Sequence, residues 1–190
     1  MKVTISSSSN DAIDEKYKES AIKACDYLAS TGWDLNWGSG SFSIMGICYN
    51  EFAKYNRNMY GFTSSKYADD IENLPKAKHN IFDTTFDLKK NIFANADIVL
   101  LLPGGTGTIS EFFAYLEEVR SNDIDTPLVL YNEDHHFDST LALIDDLIKR
   151  NFNRDNIYDY FKVANSFEEF KTIVDGYKET IENSGVNITK

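Results

Sequence analysis

Short apolar runs alternate with amphipathic helical patterns along the whole chain, and turns rich in glycine and serine follow three of the runs. These observations predict the α/β class: a three-layer, Rossmann-like, doubly wound parallel sheet, folded as a single domain over residues 1–190. A strand covered on both faces is apolar at every position, which is how Ile98-Val99-Leu100-Leu101-Leu102 reads.

Val3-Thr4-Ile5 is the first strand. Ile13, Tyr17, Ala21, Ala24 and Leu28 then recur at spacings of three and four, one face of a helix that Gly32 closes. Residues 33–37 form a second strand, Gly38-Ser39-Gly40-Ser41 a turn, and 44–55 a helix. Residues 58–62 and 79–82 read as strands on either side of a polar loop, 63–78. Helix 86–95, strand 97–102, helix 108–121, strand 127–131 and helix 138–150 follow. Ser166 with Glu169 three residues on spells a capping box for the last helix. Phe167, Phe170, Ile173, Val174 and Tyr177 give that helix an apolar face.

With 42% hydrophobic and 26% charged residues the 190-residue chain has ordinary globular composition. Nineteen basic residues against 30 acidic ones leave a net charge of −11, which repels nucleic acid and anionic lipid. The expected partner is therefore a small molecule, with no nucleic acid and no membrane. No signal-peptide core and no apolar run of ~18 residues is present, so the chain is expected to be cytoplasmic. Cys25 and Cys48 are too few for a disulfide framework and too far apart for a metal knuckle. Cys25 reads as a buried thiol, and no metal is expected. Asn187-Ile188-Thr189 matches a glycosylation sequon, read as chance.

The most informative stretch is Pro103-Gly104-Gly105-Thr106-Gly107-Thr108-Ile109-Ser110-Glu111. An apolar strand leads into it and an amphipathic helix leads out, so bare amides gather at a helix N-terminus and can seat a phosphate. Gly104, Gly105, Thr106, Gly107 and Thr108 are the candidate phosphate binders, and Glu111 is an acid or base beside them. Two further turns, Ser6 to Asn10 (Ser7 and Ser8 the candidates) and Gly38-Ser39-Gly40 with Met45, are expected at the same sheet edge. Taken singly, each turn is explained as well by a tight bend that needs positive φ. Glu111 has a plainer reading too, as a first-turn acid favoured by the helix dipole. Trp33 and Trp37 read as core, His79 as structural, and His135-His136 as polar loop rather than metal or acid–base groups.

The run Pro-Gly-Gly-x-Gly-Thr-x-x-Glu resembles the signature of the Lonely Guy family, whose members are often labelled possible lysine decarboxylases. Residues 37–46, ending in Met45-Gly46, are similar to its glycine-rich segment, Asp83-Thr84 to an Asp-Thr pair, and His136-Phe137-Asp138 to an aromatic-Asp segment. The likeness covers about residues 3–152. It implies hydrolysis of the N-glycosidic bond of a purine or cytokinin nucleoside 5′-monophosphate, without a cofactor, by a homodimer whose site lies near the subunit contact. It also implies that Glu111 is the catalytic glutamate. The family's Arg-Lys pair falls, counting back from Pro103, on Leu88 and Lys89, so Lys89 becomes the second catalytic candidate; Lys89 or Lys90 can substitute for the arginine as a point charge without a guanidinium fork, and a solvated helix face explains both lysines as well. Ser39 and Ser43 stand where the family has glycines. Leu88 argues for the alternative, a non-catalytic binding or carrier protein for a phosphorylated ligand, similar to molybdenum-cofactor carriers. A nucleoside deoxyribosyltransferase-like transferase is a third reading. Nothing in the residues supports the decarboxylase label.

Overall fold

The computed structural model describes residues 1–153 and 156–184; the sequon at 187–189 lies outside them. Seven strands form one parallel sheet: β1 (Lys2–Ser6), β2 (Asp34–Trp37), β3 (Met59–Ser64), β4 (Lys78–Phe82), β5 (Ile98–Leu101), β6 (Leu128–Tyr131) and β7 (Lys162–Ala164). Their order across the sheet is β4-β3-β2-β1-β5-β6-β7. The helices are α1 (Glu15–Ser30), α2 (Ser43–Lys54), α3 (Thr85–Phe93), α4 (Thr106–Arg120), α5 (Asp138–Lys149) and α6 (Phe167–Ser184).

Alternation along the strands builds the three layers. Val3, Ile5, Leu35, Trp37, Ile98 and Leu100 face one cluster, with Leu28 of α1, Phe52 of α2 and Phe170 of α6. Val99, Leu101, Leu128 and Leu130 face the other, with Phe93 of α3, Phe112 of α4 and Ile144 of α5. Apolar residues at successive strand positions are thus required by burial on both faces. Trp33 and Trp37 are fully buried, as their core reading expects.

The helix starts follow local chemistry. Asp14 caps α1 by accepting from Lys16 N–H, and Thr84 caps α3 by accepting from Asp87 N–H. Ser166 Oγ accepts from Glu169 N–H at 3.2 Å, while the Glu169 carboxylate reaches back to Asn165 N–H at 2.8 Å. The expected capping box forms, with its return bond one residue early.

Two segments differ from the sequence expectation. Residues 63–78 are not a plain loop: β3 runs on to Ser64, and Ser65–Asn73 winds as a 3-10 segment. β7 is a strand the periodicity does not reveal, because it is three residues long at a sheet edge and buries fully only Ala164. Strand order reverses between β1 and β5, so a crevice opens beyond their carboxyl ends, where ligands bind in such sheets.

Candidate functional site

Three turns meet at that crevice because the backbone ties them together. Ser8 N–H donates to Pro103 O at 3.0 Å, joining the turn after β1 to the turn after β5. Met45 N–H donates to Ser8 O at 3.1 Å, bringing in the start of α2. Ser43 adds two links: its N–H donates to Asp11 Oδ1 at 2.7 Å and its Oγ to Asn10 O at 2.9 Å.

These links decide which helix end is open. The first turn of α2 spends its amides on Asp11 and Ser8, whereas α4 has no side-chain cap, and Gly105, Thr106 and Gly107 are exposed. A phosphate at α4 would meet uncommitted N–H groups and the positive end of the helix dipole. The glycines here are not there for positive φ, since among the described residues Gly32 is the glycine that has it. Gly104 is needed for close packing: a methyl there would strike the buried Thr108 side chain. Gly105 and Gly107 face open space instead. Ser7 Oγ is buried beside this turn with no partner. His136 Nε2 holds Gly104 from the other side, 3.1 Å from its N–H and 2.8 Å from its C=O, so the loop histidine steadies the turn.

A cavity of about 640 Å³ continues from α4 across the ends of β2 and β3. Of the expected residues, Gly38, Ser39, Gly40, Met45, Lys89, Gly107 and Glu111 line it. Ser7, Ser8, Gly104, Gly105, Thr106 and Thr108 lie in the joined turns at its edge, outside the lining, while Ser9 belongs to it. Leu88 also lines the wall, its side chain packed against the buried cluster beneath α3 and α4.

Glu111 is half-buried and accepts a short hydrogen bond from Ser6 Oγ. Burial raises its pKa above the ordinary 4.5, although the Ser6 hydroxyl and the Lys89 ammonium both pull the other way. Lys89 Nζ donates to Ser110 Oγ at 2.7 Å, which holds the cation over the start of α4. A carboxylate that titrates late, a neighbouring ammonium and open amides can together seat an anion and move a proton beside it.

Sequence reasoning missed the far wall: Lys66 and Tyr67 belong to the segment read as loop, and nothing local marks Phe42 or Phe62 as lining. Phe42 and Tyr67, 55% and 58% exposed, line the cavity with Phe62 and offer flat apolar surface for a ring. Lys66 adds a second cation to the lining and lies 5.4 Å from the Tyr67 ring centroid. Asp70 fixes this wall to the turn after β2 by accepting from Ser41 N–H and Oγ, and these bonds hold its pKa below the usual value against the effect of burial. The one signal available was position, since 63–67 continue the carboxyl end of a parallel strand. Among the described residues no cluster of three or more His, Cys, Asp or Glu could hold a metal, and no helix is long and apolar enough to cross a membrane.

Residues 45–173 match the family described as "Possible lysine decarboxylase". The chain belongs to this family. Curated relatives include a "Cytokinin riboside 5′-monophosphate phosphoribohydrolase" of Mycobacterium tuberculosis, 29% identical over 126 residues, 64% of this chain and 65% of that protein. A relative of the same description in Arabidopsis thaliana is 25% identical over 137 residues, 72% of this chain and 64% of its own. The chain thus spans slightly under two thirds of the length of these relatives. Among solved structures, the molybdenum cofactor carrier protein of Chlamydomonas reinhardtii superposes with a TM-score of 0.67 at 13% identity, over 94% of this chain and 98% of that one. The molybdenum cofactor binding protein of Rippkaea orientalis gives 0.63 at 17%, over 92% and 94%. At such identities the likeness is one of fold.

Proposed function

We propose that this family member hydrolyses the N-glycosidic bond of a purine nucleoside 5′-monophosphate, releasing free base and ribose 5-phosphate. The observation that carries the reading is Glu111, a late-titrating carboxylate in the cavity one turn beyond the uncapped amides of α4. With the 5′-phosphate on the amides of Thr106 to Thr108, the sugar falls beside Glu111 and the base reaches the wall of Phe42 and Tyr67. As the C1′–N bond breaks, its electron pair leaves with the base and positive charge grows on the sugar. An ionised Glu111 stabilises that charge and takes a proton from the attacking water, and that proton passes to the departing base nitrogen, so the base leaves neutral and Glu111 is ionised again. Lys89 supports the phosphate end, and Ser6 fixes the rotamer of Glu111.

The names of the curated relatives support this reading. One observation favours a second: Leu88 presents an alkyl side chain to the cavity where the resemblance places an arginine, and the fold is that of carrier proteins. In that reading the same seat holds a phosphorylated ligand without turnover. Incubation with AMP and with N6-isopentenyl AMP, followed by chromatography of the released base, separates the two. Release that falls by at least about a hundredfold in Glu111→Gln is the expected result. Saturable binding of both nucleotides with no base released would establish the carrier instead.

A further inference from the structure

The nine residues Ser65–Asn73 supply Lys66, Tyr67, Asp69 and Asp70 to the cavity wall, yet little ties them to the rest of the fold. None of the nine is buried, and neither core cluster includes any of them. The residues on either side are fixed: Ser64, the last of β3, and Leu74 are both buried. The segment winds as a 3-10 helix, whose hydrogen bonds are poorer than those of an α-helix. That winding breaks at Tyr67, where φ −120° and ψ 16° depart from helical geometry.

A carboxylate fastens this segment in its middle. Asp70 Oδ2 accepts from Ser41 N–H at 2.6 Å, and Oδ1 accepts from Ser41 Oγ, in the turn after β2. Among the described residues, no other side chain of the nine bonds outside the segment: Asn73 Nδ2 turns back to Asp70 Oδ1 at 3.2 Å, and Lys66 lies over the ring of Tyr67. The Ser41 side does not yield. A methyl on Gly46 would strike Ser41 O, so this turn lies close on α2, whose Ile44, Cys48 and Phe52 are buried. Phe42, next to Ser41, and Tyr67, three residues before Asp70, line the same cavity, so the Asp70–Ser41 pair joins two of its walls. Bonds to an ionised carboxylate are strong enough to hold such a segment shut, and one residue releases them. A stretch with no buried side chain and one such attachment is among the parts of a fold that open at least cost.

We propose that Ser65–Asn73 is a strap that swings away from the cavity to admit and release ligand, and that Asp70 on Ser41 is its latch. Asp70 is thus a positioning residue: it sets how often the cavity opens and takes no part in the reaction. That the ligand is a nucleotide rests on the reading above. With the latch shut, Lys66 and Tyr67 stand against the base; with it broken, the chain turns about its fixed ends at Ser64 and Leu74 and carries both away.

Two measurements on the full chain test this. Amide hydrogen exchange without ligand, followed by mass spectrometry, is expected to be at least about tenfold faster over residues 65–73 in Asp70→Ala, with β1 and β5 unchanged. Asp70→Asn, which keeps one acceptor, falls between the two. Surface plasmon resonance with AMP uses chains that also carry Glu111→Gln, which suppresses turnover. Association and dissociation are both expected to be at least about tenfold faster in Asp70→Ala, with the dissociation constant within about threefold. A gate speeds passage both ways, whereas a fixed wall that loses a contact speeds dissociation alone. Faster dissociation alone, unchanged rates, or unchanged exchange over 65–73 overturns the latch. AMP that fails to bind the Glu111→Gln parent overturns the nucleotide reading, and exchange over 65–73 then decides the strap by itself.

Discussion

At the scale of single residues the proposed hydrolysis turns on the proton of Glu111. Burial lifts its pKa above 4.5, while Ser6 and Lys89 restrain the rise. Hydrolysis that needs the ionised form therefore fails as pH falls, with its acid limb above 4.5. Removing the Lys89 charge with Lys89→Met lets the pKa rise further, so the limb of kcat/KM moves to higher pH; a limb that stays put or moves down refutes the coupling. The same shift has a consequence for stability. The folded state binds this proton more tightly than the unfolded chain does, so stability falls as pH rises through the window above 4.5. Glutamine has no such loss, so Glu111→Gln is expected to melt at or above the parent temperature at pH 7 while losing activity, which separates catalysis from folding. Glu111 was legible in the sequence because a whole motif surrounds it. Ser64, Lys66 and Tyr67 were not, because nothing local marks a polar residue as lining a cavity made by distant strands.

At the scale of elements the comparison between α2 and α4 is the instructive one. Both follow small-residue turns at the same sheet edge, yet α2 closes its first amides on Asp11 and Ser8 while α4 leaves its own open. Sequence reading could place both helices within a few residues but could not rank them, since the closing groups come from the turn after β1. The reason for the glycines changes as well. Gly107 has helical backbone, lines the cavity and faces open space, so its bare Cα leaves room for close approach and is not required by an unusual φ. Alanine there improves helix propensity and fills that space. Gly107→Ala is therefore expected to stabilise the chain by about 0.5 kcal/mol in urea denaturation. It should also weaken ribose 5-phosphate binding at least about tenfold, because a methyl would stand in front of the amides. Unchanged affinity would place the phosphate elsewhere.

At the scale of the whole molecule, alternation of apolar runs and amphipathic helices was enough to give a parallel sheet covered on both sides. Strand order, the fold-back of Ser65–Asn73 and β7 were not readable, because they depend on contacts between segments far apart in the chain. The fold also separates stability from binding. α6 closes the core on the face of α1 and α2: Phe170 is fully buried, its ring 5.0 Å from that of Tyr131 and 6.4 Å from that of Tyr27. Tyr27 OH donates to Asp175 at 2.7 Å, and burial with that carboxylate pushes the phenol up to about 12. Lys178 Nζ donates to Thr31 O at 2.6 Å, fixing the far end of the helix. None of the cavity lining comes from α6. Phe170→Ala should thus cost about 3–5 kcal/mol by leaving a cavity among Tyr27, Tyr131 and Phe167. In urea the midpoint falls with little change in slope, as expected when stability alone is altered. Below the transition the variant should bind ribose 5-phosphate as the parent does, since the crevice between β1 and β5 is built by turns tied to one another rather than to α6. Loss of binding in a variant that is still folded would mean that α6 sets the spacing of those turns.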